Sequence, residues 1–182
     1  HIVVMDDSDA QMELTAFSRA EWERLAPELS SDCEDLAAGT LWVATDDEEM
    51  DAVEKKFRYY SDRGVKTEIV NPEQLRKHEP NLRSGLRGAL RVPNDRVVYA
   101  TNCAHWLLRG LDVRPNTSVI ALETNGARDD RGNIYRAASV VLACGAESTR
   151  LFPELPIEPR KGHLCITDRY PGFCRHQIVE LG

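Results

Sequence analysis

Two short runs carry the residue types best suited to chemistry: Ser139-Val-Val-Leu-Ala-Cys-Gly-Ala-Glu-Ser148 and, after a short link, Pro159-Arg-Lys-Gly-His-Leu164. Val140, Val141 and Leu142 are apolar in succession, the pattern of a strand covered on both faces. Gly145 follows and, lacking a Cβ, lets the backbone turn sharply and approach a ligand closely. In an open α/β sheet, ligands sit outside the carboxyl ends of the strands, where this turn would fall. The run therefore predicts a turn at Gly145 on the side of the sheet where a ligand would sit.

Other chemistry is poorly represented. The 11 glycines form no Gly-x-Gly, so the fingerprint that seats a pyrophosphate on a helix N-terminus is missing from these residues. Five cysteines, Cys33, Cys103, Cys144, Cys165 and Cys174, are odd in number and make no Cys-x-x-Cys pair. That speaks against a zinc ribbon or a disulfide framework and for reduced thiols. The histidines show no His-x-x-x-His spacing, and no metal site is assigned. Asp46-Asp47-Glu48-Glu49 and Asp6-Asp7-Ser8-Asp9 read as acidic helix starts. His78-Glu79 reads as a helix end.

The elements that must position the two runs follow from periodicity. A strand over Ile2–Met5 leads into a helix over 6–26, with Ser18 as an alternative cap for a second helix. Gly39–Thr45 is a strand rich in aromatic and β-branched residues. Asp46 or Asp47 caps a helix carrying Met50, Val53, Phe57 and Tyr60 on one face, ended by Gly64. A strand over 65–70 precedes a helix opened by Asn71-Pro72 and closed by Pro80. Gly88–Val92 is a strand, and Thr101 starts a helix running out at Arg109-Gly110. Short strands follow over 111–114, 118–123, 134–137 and 140–143, with a hairpin turn at Asp129–Asn133 between the middle two. The last strand-like run is 177–181.

At 182 residues the chain can bury a sizeable core. Hydrophobic residues at 42% and charged residues at 29% are ordinary globular values and do not indicate disorder. A net charge of −7 argues against nucleic acid and against an anionic membrane surface. The apolar runs are far too short to span a bilayer.

In their order, these motifs resemble the D-amino-acid oxidase, glycine oxidase and D-amino-acid dehydrogenase superfamily of FAD-dependent oxidoreductases. The Ala143–Ala146 turn followed by Pro159-Arg-Lys-Gly-His is similar to that superfamily's strand ending Ala-x-Gly-Ala and its Pro-Arg-x-Gly-Gln/His strand at the flavin. Gly39-Thr-Leu-Trp-Val-Ala, Asn71 to Pro80, and Arg87-Gly-Ala-Leu-Arg-Val-Pro-Asn-Asp95 resemble its substrate-domain segments. Glu147 stands where the family often carries an aromatic residue, and Cys144 where alanine or threonine is usual.

The resemblance implies an α/β (α+β) fold: part of a nucleotide-binding α/β sheet with a β-meander, plus a mixed β-sheet substrate domain flanked by helices. It implies a substrate-domain portion over 1–98, an FAD-binding portion over 99–150 and a return to the substrate domain over 151–182. The Gly-x-Gly-x-x-Gly unit and a C-terminal portion are expected outside these residues. FAD is the implied cofactor, with Val119 offering its backbone to the adenine and Ala143, Cys144, Gly145 and Ala146 lying against the dinucleotide. Gly162 is placed on the strand passing near the flavin ring, and His1 at the end of the family's Gly-rich segment. Lys161 is read as a surface charge, or else as a cation stabilising reduced flavin.

The implied reaction is oxidation of a C–N bond in a D-amino acid, glycine or N-substituted amino acid by hydride transfer to flavin. The catalytic residues are unassigned, since the substrate-binding arginine usually lies beyond this stretch. One alternative is a flavin-dependent 2-hydroxy-acid or polyol-phosphate dehydrogenase; another is a non-catalytic, partner-binding subunit of the same fold. The expected setting is cytoplasmic, with peripheral attachment to a membrane, an oligomeric partner and an electron acceptor left open.

Overall fold

The computed structural model describes residues 1–181 and divides the chain into two compact units. Unit 1 comprises His1–Arg109 and Arg169–Gly182; unit 2 comprises Gly110–Asp168.

Unit 1 is built on a four-stranded mixed sheet. Its strands are β1 (Thr40–Ala44), β2 (Glu68–Val70), β3 (Gly88–Val92) and, late in the chain, a strand over Gln177–Glu180, in the spatial order β2, β3, β1, late strand. β3 runs antiparallel to β1 and β2, whereas the late strand runs parallel to β1, with Thr40 opposite Gln177. Side chains alternate across β1 and β3, so each face is apolar and each is covered. Ala44, Leu90 and Val92 face a cluster with Val4, Met12, Val53, Tyr60 and Val65. Leu41, Val43 and Ala89 face the opposite cluster with Val70, Leu75 and Leu86.

Helices α1 (Asp9–Leu25) and α2 (Asp47–Asp62) supply Met12, Val53 and Tyr60 to the first cluster; α3 (Pro72–His78) supplies Leu75 to the second. Their starts follow side-chain capping. Ser8 accepts from the Gln11 N–H, Asp46 accepts from the Glu49 N–H, and Asn71 with Gln74 forms a reciprocal capping box. A single α1 replaces the two-helix alternative, and Pro27 sits in a 3-10 turn over Ala26–Glu28. The expected opening strand is reduced to one antiparallel bridge between Ile2 and Arg96. α4 (Ala100–Leu107) closes this part of the unit.

Unit 2 holds a three-stranded antiparallel meander of β4 (Val119–Glu123), β5 (Gly126–Asp129) and β6 (Ile134–Arg136), in that order. The Asp129–Asn133 turn joins β5 to β6. The expectation that it joined the strands at 118–123 and 134–137 missed β5, a strand of only four residues including Gly126. Gly126 is there for space: a Cβ on it would lie 1.9 Å from the Tyr135 carbonyl oxygen, and its φ is +149. A 3-10 turn over Gly145–Glu147 leads into the one-turn helix α5 (Ser148–Leu151). The late strand of unit 1, Gln177–Glu180, is β7.

Two expectations about local structure are corrected. Residues 111–114 and 140–143 are not strands, and Val140 and Val141 are exposed at 47% and 86%. Among the described residues no strand lies alongside them, and a β backbone needs a neighbour to take its N–H and C=O groups.

Candidate functional site

The predicted contacts fall in both units. His1 belongs to unit 1; Val119, Ala143, Cys144, Gly145, Ala146 and Gly162 belong to unit 2.

Within unit 2, β4 is an edge strand. The Asp130 N–H donates to the Ser118 carbonyl at 2.9 Å, so Ser118 directs its peptide groups at β5. Backbone direction alternates along a strand, and the N–H and C=O of Val119 consequently face the open edge. One donor and one acceptor on a fixed edge can read a flat heterocycle. Val119 also lines an open groove with Arg114, Thr117, Asn133 and Tyr135. The Arg114 guanidinium lies 4.9 Å from the centre of the Tyr135 ring and pairs with Asp112 at 2.8 Å.

Asp129 fixes the far wall of that groove. Its carboxylate, 1% exposed, accepts from the N–H of Arg131 (3.0 Å), the N–H and Nδ2 of Asn133 (2.8 and 2.9 Å) and the Tyr135 hydroxyl (2.8 Å). The Asn133 side chain leads in pushing its pKa down to about 2, with the Tyr135 hydroxyl and the backbone N–H groups adding to it. The sequence marks the turn; the spacing of Asp129, Asn133 and Tyr135, which puts their polar ends on one carboxylate, was the unused signal.

The Ala143–Ala146 segment is exposed and turns at Gly145, where φ is +56. A Cβ built there meets nothing within 4 Å. The turn is therefore left-handed, bare and flanked by small residues, which is the surface a dinucleotide needs for close approach. α5, which follows and begins with the buried Ser148, packs on β4, so the turn and the Val119 strand are tied together within unit 2. Cys144 is an exposed free thiol, and the Glu147 carboxylate pairs with Arg150 at 2.6 Å. Gly162 lies in an exposed segment without regular structure, with Lys161 and His163 exposed beside it. An expected strand at Gly162 is thus not formed among the described residues.

His1 is exposed, and its Nδ1 is hydrogen-bonded to Oε1 of Gln177. Gln177, mostly buried at the head of β7, in turn donates from Nε2 to the Arg96 carbonyl at 3.2 Å. Ile2 and Arg96 exchange two backbone hydrogen bonds at 2.9 Å, which seats the residue after His1. Gln177 as the partner of His1, and Arg96 as the partner of Ile2, were invisible in the sequence because they lie far along the chain.

Small residues at a left-handed turn, an open strand edge and an unfilled space over Gly145 fit an FAD. Among the described residues no group of three or more His, Cys, Asp or Glu side chains gathers as a metal site, and no helix is long and apolar enough to cross a membrane.

The family model for FAD dependent oxidoreductases (DAO) matches residues 3–180. D-amino acid dehydrogenase from Xylella fastidiosa (strain M12) is 29% identical over 167 residues, covering 83% of this chain and 38% of that protein. Among solved structures, glycine oxidase from Geobacillus kaustophilus superposes with a TM-score of 0.70 at 25% identity, over 82% of this chain and 44% of its own. L-proline dehydrogenase from P. horikoshii shares the fold, with a TM-score of 0.75 at 19% identity over 96% of this chain and 51% of its own. The chain thus spans well under two thirds of the length of these relatives. Its fold, its order of elements and its sequence agree, and the chain belongs to the FAD dependent oxidoreductase family.

Proposed function

We propose that the protein containing this chain oxidises the C–N bond of a small amino acid or secondary amine: a D-amino acid, glycine or an N-substituted amino acid. The observation that carries the reading is the family match over residues 3–180, joined to relatives whose names are those of amino-acid oxidases and dehydrogenases. FAD, when bound, supplies the redox chemistry by accepting a hydride from the carbon bonded to nitrogen. The substrate leaves as an imine, which water hydrolyses.

The residues of this chain bind and orient. The outward-facing peptide of Val119 reads the adenine edge, and the Ala143–Ala146 turn gives the dinucleotide a surface without side-chain obstruction. Gly162 allows close passage near the ring, and His1, held by Gln177, lies near the flavin. Orientation of the C–H bond over the ring is the larger part of what such catalysis requires. Five free cysteines support a reducing, cytoplasmic setting.

The test is anaerobic mixing of the full-length flavoprotein with a panel of D-amino acids, glycine, N-substituted amino acids and 2-hydroxy acids. Flavin bleaching by one of the amines is expected. Bleaching by hydroxy acids alone would move the protein to the hydroxy-acid-oxidising branch, and a full-length protein that retains no FAD would leave it a non-catalytic member of the fold.

A further inference from the structure

Cys33 ends a 3-10 turn over Ser31–Cys33 that packs against α4, and Cys103 lies in the first half of that helix. The contact is fixed from several sides. The Tyr99 N–H donates to the Cys33 carbonyl at 2.7 Å, and the Cys103 thiol is directed at the same oxygen at 3.7 Å. Asn102 donates from Nδ2 to the Asp32 carbonyl at 2.8 Å, holding the turn on the helix one residue away. Both cysteines are buried, and after burial itself the neighbouring Cys33 thiol is what raises the pKa of the Cys103 thiol. Cys144, Cys165 and Cys174 are exposed.

A disulfide requires two sulfur atoms in contact, carried by backbones close enough to span. The Cys103 sulfur, 3.7 Å from the Cys33 carbonyl oxygen, brings two buried cysteines 70 residues apart in sequence into this neighbourhood, and the bonds from Tyr99 and Asn102 to the 32–33 backbone hold them there. We propose that Cys33 and Cys103 form a reversible disulfide when the protein meets a two-electron oxidant of the peroxide class, locking the Ser31–Cys33 turn onto α4.

The chemistry balances with hydrogen peroxide as oxidant. One thiolate attacks a peroxide oxygen, the O–O bond breaks, and a sulfenic acid and one water result. The second thiolate attacks the sulfenic sulfur, the S–S bond forms, and the hydroxyl leaves as a second water after taking a proton. The two thiols lose two electrons and two protons in total. Burial, and then the neighbouring Cys33 thiol, push the Cys103 thiol up to about 11, so the step is slow at neutral pH and accelerates as pH rises. The linked state closes a long loop and restricts the unfolded chain, which raises the unfolding temperature.

The experiment treats the full chain with hydrogen peroxide at alkaline pH, unfolds it, alkylates with iodoacetamide and digests it with trypsin without reductant. The expected product joins the peptide 25–55, which contains Cys33, to the peptide 97–109, which contains Cys103. Its mass is two hydrogens below the sum of the two, and dithiothreitol separates it. The unfolding midpoint is expected to rise by about 5 °C on oxidation in the natural chain and to stay put in Cys33→Ser. Recovery of both peptides singly alkylated, after Cys144, Cys165 and Cys174 have been oxidised, would overturn the proposal. Sulfinic or sulfonic acid on Cys33 or Cys103 without the cross-link would overturn it too. The peptide map of the natural chain decides the matter even if Cys33→Ser does not fold.

Discussion

Glu79 and His176 meet on a single oxygen: the backbone N–H of His176 and its ring Nδ1 both lie 2.7 Å from Oε1 of Glu79. The Arg175 N–H reaches the same atom at 2.7 Å. Glu79 is 2% exposed and follows α3, so its carboxylate pins the segment entering β7 to the helix end. The His78 ring stands edge-on to His176 at 5.4 Å and closes the cluster. Glu79→Ala leaves two backbone donors and a ring nitrogen without their acceptor in a buried place. It is expected to destabilise the chain by about 3 kcal/mol, and Glu79→Gln, which keeps an acceptor oxygen, by clearly less. Urea unfolding of the three chains checks both numbers. Equal losses would show that Oε1 is not the acceptor that matters.

Asp95 is 1% exposed; its Oδ2 accepts from the Thr40 hydroxyl at 2.6 Å, while Oδ1 has no hydrogen-bond partner and Arg19 stands 3.8 Å away. Burial raises its pKa from 3.8 to about 6, against the opposing pull of Thr40 and Arg19. Between those values the folded chain holds a proton that the unfolded chain has released. Asp95 therefore contributes stability below about pH 4 that is lost as pH rises through 6, at most about 3 kcal/mol. Asp95→Asn removes this dependence. Subtracting its unfolding free energy from that of the natural chain, pH by pH, should give a falling curve between pH 4 and 6, and a flat difference would refute the assignment.

Gly126 has no room for a side chain, since its Cβ position lies 1.9 Å from the Tyr135 carbonyl and 3.0 Å from the Arg136 Cα. Gly126→Ala must part β5 from β6 and is expected to cost about 2–4 kcal/mol. Amide hydrogen exchange should speed up in unit 2 and stay unchanged in unit 1. Unaltered exchange at Ala127 and Arg128 would contradict the packing.

Gly145 has the opposite surroundings, open space and a φ of +56. In the full-length protein Gly145→Val should weaken FAD retention by about tenfold or more, because a β-branched residue resists this backbone conformation and fills the approach. Flavin absorbance per mole of purified protein is the measurement. Full occupancy would remove the turn from the cofactor contacts.

The parts of the fold written in local sequence were legible. Asp46, Asn71-Pro72 and Gly64 announce helix ends through groups they carry themselves, and Met50, Val53, Phe57 and Tyr60 state a buried face by spacing. Partnerships between distant residues were not. Nothing at Gln177 signals His1, and nothing at Glu79 signals His176, because each pairing exists only after the sheet has formed. Val140-Val141-Leu142 shows the converse: an apolar run states a preference for burial, but a strand needs another strand beside it. For the site, glycine and alanine at 143–146 were readable as permissive backbone, whereas the open edge at Val119 depends on the register of β4 with β5.

Unit 2 lies within the sequence of unit 1, because β1 pairs with β7 while residues 110–168 intervene. β1, β2 and β3 can zip together from neighbouring stretches, but the Thr40–Gln177 ladder must close a loop that contains an entire second unit. Loop closure over that length is entropically costly and slow, and it raises the contact order of the chain. On the ribosome β7 emerges after β1, β2 and β3, so Leu41 and Val43 wait for Ile178 until translation has passed through unit 2. Until then β1 is an unprotected edge, the stage at which a nascent chain depends most on a chaperone.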